Sequence, residues 1–320
     1  MTQAGDGTQA GVGTQALLPA RPPFPVTAPH RVVPAPRPVE GSPLVELDDA
    51  WPAALARRLQ RLTHDPDGVV VHDGRPEPGL EEAVRQAYGL LPGDQGALPR
   101  LGVRVDLDAV RLVDTGPSRC PAATGLLGSR QGLDLLVTGW LLACSDDLVV
   151  LRRSGQGVLH TELLAVAFPS GWAPRRRLGA SLLELHAPVA DGERLQRAAA
   201  ALSEALLTKG PLRQHVWGLD PDGRLDRDPS AADAPTSADP TDPARWWLRV
   251  EQQTSVPLPA LDRALFTIRP HLVPLTDLTP AQCATLAAAV SSMSAAARAY
   301  KGITDVADDA VTWLTARSLR

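Results

Sequence analysis

A chain of 320 residues has ample length for one large domain or two small ones, and 44% hydrophobic residues is ordinary for a folded protein. The net charge of −4 lacks the basic surplus of a phosphate-backbone binder, and no apolar run reaches the roughly eighteen residues of a membrane span, which argues against nucleic acid and membrane as partners. Cys120, Cys144 and Cys283 are odd in number and widely spaced, so neither a disulfide scaffold nor a cysteine zinc site is expected; with no basic n-region or apolar h-region at the start, the expected location is cytoplasmic.

The chain opens with a polar six-residue repeat, Thr2-Gln3-Ala4-Gly5, Thr8-Gln9-Ala10-Gly11 and Thr14-Gln15-Ala16, followed by Pro-rich sequence from Pro19 to Pro43. Such composition buries too little surface to offset its ordering entropy, so residues 1–40 are read as a disordered or extended arm, with Phe24 able to dock on the body. Residues 41–320 are read as one domain. Helical spacing covers Asp48–Leu62, with Leu55, Leu59 and Leu62 on one face, and Leu80–Leu91. Leu133–Cys144 is apolar nearly all round, and periodicity does not decide between buried helix and buried strand. Asp147–Leu151 and Leu163–Phe168 read as strands, and Glu193–Leu207 as an amphipathic helix.

From Asp220 to Pro243 the chain is dense in Asp and Pro and reads as a long exposed loop. Its Asp220-x-Asp222-Gly223 start suggests calcium only faintly, because the remaining EF-hand ligands are absent. Beyond it, Trp246–Thr254 and Ala264–His271 alternate with period two and form an expected antiparallel pair. Thr279-Pro280-Ala281-Gln282 is a capping box opening a helix that continues through Leu286, Val290, Met293 and Ala297 and closes at Gly302; Asp305 is expected to cap a last helix to about Ser318. Without βαβ alternation, the fold class is α+β with an antiparallel sheet and flanking helices.

No Walker loop, Rossmann fingerprint, H-E-x-x-H or G-x-S-x-G is present. The candidates for chemistry are polar residues in apolar surroundings. His186 stands before the chain stop at Pro188, where an imidazole can serve a metal or cofactor or simply be a hydrogen-bonded structural group. Arg249 and Glu251 on one strand and Arg269 and His271 on the next are expected to share a sheet face. The two arginines there can hold a carboxylate or phosphate, with Glu251 orienting one of them, or the face can be merely wetted. Trp247 falls on the same polar face, where its flat ring can line a cofactor.

Five segments then occur in the order and approximate spacing of one family: Phe168-Pro169-Ser170-Gly171-Trp172, Leu185-His186-Ala187-Pro188-Val189, Arg249-Val250-Glu251-Gln252-Gln253-Thr254, Phe266-Thr267-Ile268-Arg269 and Ala299-Tyr300-Lys301-Gly302. In these the chain resembles the haem-dependent oxidative N-demethylases over roughly Leu133–Ile303. The resemblance implies a PAS-like α+β fold binding haem b, and oxidative removal of a methyl group from a small amine with release of formaldehyde. The implied partners are O₂ and a flavin/iron–sulfur reductase that passes on electrons from NAD(P)H. By the same resemblance His186 is the expected iron ligand, Arg249 and Arg269 the propionate partners, and Glu251 a catalytic-site group that orients Arg249 or acts from behind the residues touching the haem. The Trp247 ring, read from the strand pattern, would then line the haem, and His271, a departure from the family, is expected as a distal group bonding bound O₂ or as a rival ligand.

The sequence departs from the family near the presumed pocket. Glu251-Gln252-Gln253-Thr254 lacks a customary arginine, Trp217-Gly218-Leu219 replaces an Arg-x-Asn-Trp pattern, and His271 stands where an aromatic residue is usual. These departures make His271 or His215 a rival iron ligand. They also keep open a non-catalytic haem-binding sensor and a haem-free binding protein.

Overall fold

The computed structural model describes residues 17, 19–32, 36–74, 77–155, 157–187, 193–230 and 242–320. The Thr-Gln-Ala-Gly repeat and residues 231–241 of the acidic segment lie outside the described residues. The described residues form nine strands: β1 Arg37–Pro38, β2 Val70–Val71, β3 Val103–Asp106, β4 Arg111–Asp114, β5 Asp147–Arg153, β6 Leu159–Ala165, β7 Leu212–Asp220, β8 Trp247–Leu258 and β9 Arg263–Pro274. The helices are α1 Trp51–His64, α2 Pro66–Val69, α3 Pro78–Ala87, α4 Leu98–Leu101, α5 Pro121–Gly128, α6 Gly132–Ala143, α7 Leu182–His186, α8 Glu193–Thr208, α9 Pro280–Ser291, α10 Ala295–Tyr300 and α11 Ala307–Ser318.

Seven strands form one antiparallel sheet in the order β1-β7-β8-β9-β5-β6-β2, and β3 and β4 make a separate hairpin. This is the α+β architecture expected from the sequence. Alternation along the central strands divides two faces. Leu148, Val150 and Leu265 pack with α3 and with α6, whose all-round hydrophobicity is thereby explained as that of a buried helix. Further along the same face, Leu248 and Val250 join a second cluster with α9 and α11. The opposite face presents Val149, Leu151, Phe266 and Ile268 to Leu182 of α7 and Leu206 and Leu207 of α8.

Several boundaries differ from expectation for identifiable reasons. The strand expected over Leu163–Phe168 leaves the ladder after Ala165, because the Asp147 carboxylate takes the amides of Ala167 and Phe168 at 3.1 and 3.0 Å. The capping box at Thr279 forms as expected, but the helix it opens stops at Ser291, and Ser294 caps a new one by accepting from the Ala297 amide. Gly302, at φ +67°, closes that second helix. Val306 rather than Asp305 precedes α11, without a side-chain cap.

The described part of the arm is docked. Val26 is buried, Phe24 packs on the C-terminal cluster, and Arg37–Pro38 pair with β7. The acidic segment is not simply an exposed loop either. Asp226 and Asp228 are buried and paired with Arg61 on α1, at 2.9 and 3.3 Å, while Arg227 holds Asp220 and Asp222. The calcium-like start is thus an internal ion-pair turn. No helix among the described residues is long and apolar enough to cross a membrane.

Candidate active site

Antiparallel register decides which polar side chains meet. Glu251 is opposite Pro270, Gln252 opposite Arg269 and Val250 opposite His271, and directly paired residues project to the same face. Arg249 and Glu251 therefore point to the α8 side of the sheet, and Arg269 and His271 to the other. The four residues do not share a face as expected. Each strand alternates as read; the relative register differs by one residue, which turns one strand's polar set over.

On the α8 side, Arg249 is buried, and its guanidinium is committed to the scaffold. Its Nη2 donates to the Phe168 and Leu225 carbonyls at 2.9 and 3.0 Å, its Nη1 donates to the Arg224 carbonyl at 3.0 Å, and its Nε donates to Ser170 Oγ. Ser170 in turn donates to Glu251 Oε1, while Gln253 Nε2 donates to Glu251 Oε2 at 3.1 Å. Glu251 is half-buried and oriented at both oxygens, and the Arg249 Nε lies 4.0 Å from Oε1. Trp247, at the start of β8, shares this face. The turn at Gly223 packs so closely on its indole that an added Cβ would fall 2.5 Å from the ring, and Gly223 has φ +62°.

The C-terminal segment completes the arrangement. Burial raises the Tyr300 phenol above its ordinary range and the negative charge of Glu251 raises it further, with Arg177 opposing. Burial lowers the Lys301 ammonium to about 8, against the pull of Glu251. Lys301 donates to the Trp217 carbonyl and lies 5.1 Å from the centre of that indole. Val216, paired with Glu251 across the β7–β8 ladder, and Tyr300 remain 42% and 51% exposed, so apolar surface beside the carboxylate is uncovered.

His186 is the last residue of α7, which packs through Leu182 on this same side of the sheet; its side chain lies outside the described residues. Ser170, Tyr300 and Lys301 had no expected role, although the segments containing them were among those carrying the resemblance. Their signal lay in the co-occurrence of short motifs far apart in sequence.

On the opposite face, His271 is buried, its Nε2 has no hydrogen-bond partner among the described residues, and burial followed by the charges of Arg269 and His215 lowers it to about 3, leaving a neutral imidazole. Arg269 is spent on the Glu46 carbonyl at 2.7 Å and on Asp48. His215 Nε2 lies 3.4 Å from Gln252 Oε1. Both arginines assigned to propionates are therefore already engaged by protein acceptors, on opposite sides of the sheet.

A family profile described as haem-dependent oxidative N-demethylase, alpha subunit-like, matches residues 127–311, which is more than half of the chain. No curated protein matches. That span contains β5 to β9, the Ser170–Glu251–Arg249 network and the Tyr300–Lys301 segment, and the chain belongs to the haem-dependent oxidative N-demethylase alpha subunit-like family.

Proposed function

We propose that the chain is a haem b-dependent oxidoreductase that removes a methyl group from a small secondary amine. It would use O₂ and electrons delivered from NAD(P)H by a separate flavin/iron–sulfur reductase, and release formaldehyde and water. The observation that carries this reading is the convergence of two distant segments on one carboxylate of β8: Ser170, itself held by Arg249, holds Glu251, and Tyr300 and Lys301 feel its charge. A secondary amine is a cation near neutral pH, and an oriented, half-buried carboxylate with unused lone pairs suits it.

In this reading the haem lies on this side of the sheet. Val216 and Tyr300 leave apolar surface open beside Glu251. Arg177 acts on Tyr300 and forms no ion pair among the described residues, so in our reading it takes the propionate role in place of the engaged Arg249 and Arg269. His186 would hold the iron from the end of α7. When bound, haem supplies the O₂ and one-electron chemistry that side chains lack. Glu251 would bind and orient the amine, the neutral Tyr300 phenol would present a hydrogen-bond donor, and Lys301 would balance the carboxylate when the substrate is absent.

A second reading rests on His271. A buried, neutral and unpartnered Nε2 is a suitable iron donor, and it would put the cofactor on the opposite face.

The test is turnover by the haem-loaded chain with reductase, O₂ and a panel of methylated amines. Formaldehyde should track NAD(P)H use, and Glu251→Gln should raise KM by about tenfold or more, the effect of losing one charge-assisted hydrogen bond. No formaldehyde above the uncoupled background with any amine would leave a non-catalytic haem protein, and no haem uptake would leave a haem-free one.

A further inference from the structure

A cavity of about 320 Å³ lies between α2, β2 and the start of α6, away from the Glu251 network; its wall includes Asp67, Val71, His72, Arg130, Asp134 and Thr138. Arg130 stands out within it. Its side chain is half-buried, its Nε is buried without an acceptor among the described residues, and its guanidinium forms no ion pair among them. A buried N–H of a permanent cation without an acceptor is costly, and a bound anion or carboxylate is a common reason for one. Thr138 is buried in the same wall, with Val71 giving an apolar patch.

The remaining charges limit what the ligand can be. Asp134 lies 3.2 Å from His72 and Asp67 also faces the space, so two carboxylates border a cavity with one unengaged guanidinium. A simple anion would meet Arg130 but be repelled by both carboxylates. A simple amine would leave Arg130 unmet. A molecule carrying both charges satisfies the whole set, and the volume, at the low end for small-molecule sites, suits a small one.

We propose that this cavity is a binding site for a small zwitterion of the amino-acid class, with its carboxylate on Arg130 and its ammonium toward Asp67 and Asp134. The site is separate from the Glu251 network and does not depend on the oxidative function.

Calorimetric titration of the full-length chain with L-alanine tests this, with acetate and ethylamine as the two half-ligands. L-Alanine should bind saturably and more tightly than either half-ligand. Arg130→Gln should weaken it by about tenfold or more, as loss of a charge-assisted contact does, whereas Glu251→Gln should leave it unchanged. Asp67→Asn, at an exposed position, provides a second variant with little risk to folding and should also weaken binding. The proposal is overturned by any of three results: no saturable heat with L-alanine, acetate binding equal to that of L-alanine, or binding that neither Arg130→Gln nor Asp67→Asn alters.

Discussion

Replacing Arg58 with Met should be among the most damaging single changes in the chain, although nothing marks this arginine out from its neighbours on α1. Arg58 and Asp147 are both fully buried and pair at 2.8 Å. Arg58 also donates to the carbonyls of Leu141 and Ser145 at 2.7 and 3.0 Å, and its guanidinium lies 4.9 Å from the centre of the Phe168 ring. Asp147 receives the amides of Ala167 and Phe168, so the pair ties α1, the end of α6 and the segment leading to Ser170 into one unit. Removing the cation strands a buried carboxylate, which costs about 3–5 kcal/mol, a large share of the ~5–15 kcal/mol that holds a domain folded. Tm should fall by roughly 10 °C. Arg58→Met with Asp147→Asn removes the stranded charge while keeping an acceptor, and should recover about 1–3 kcal/mol of that loss. Denaturant unfolding of the single and double variants measures both quantities. A loss of less than about 1 kcal/mol in Arg58→Met, the size of an exposed pair, would refute the assignment of this pair as the central strut.

Two further stability predictions concern the faces around the site. Burial pushes the Asp146 carboxyl up to about 6, against the opposing charges of Arg269 and Arg58. Its folded pKa lies above the unfolded value near 4, so across that window the folded state retains a proton that the unfolded state has lost. Its contribution to stability should therefore decline by about 3 kcal/mol as pH rises from about 4 to 6, and Asp146→Asn should remove that decline. Unfolding curves at several pH values whose wild-type and Asp146→Asn stabilities run parallel would contradict this. Gly223→Ala puts a Cβ against the Trp247 indole at a positive φ, and should cost about 1–3 kcal/mol and perturb tryptophan fluorescence; an unchanged melt and spectrum would be inconsistent with the close turn.

The sequence was most informative where local chemistry is self-contained. The Thr279 capping box, the period of β8 and β9 and the closure at Gly302 are each set within a few residues. Register is not local. Alternation placed Arg249 with Glu251 and Arg269 with His271, but which face each pair occupies depends on a one-residue offset between strands. Strand β7 does not show in the sequence because His215, Trp217 and Gly218 interrupt any simple pattern and most of the strand is only half-buried, held by its pairing with β8. Buried charges were equally hard to read. Arg58, Asp147, Asp226 and Asp228 resemble surface residues until their partners, far away in sequence, are brought beside them. The Glu251 site lay between these cases: its motifs were visible, whereas their convergence through Ser170 was not.

The most direct test of the account is the absorption spectrum of the chain purified with haem supplied, compared with those of His186→Ala and His271→Ala. A Soret band that persists in His271→Ala and is lost or strongly shifted in His186→Ala is the predicted result. A band abolished by His271→Ala and untouched by His186→Ala would move the iron to the other face of the sheet, and a wild-type chain that stays colourless would contradict the haem assignment altogether.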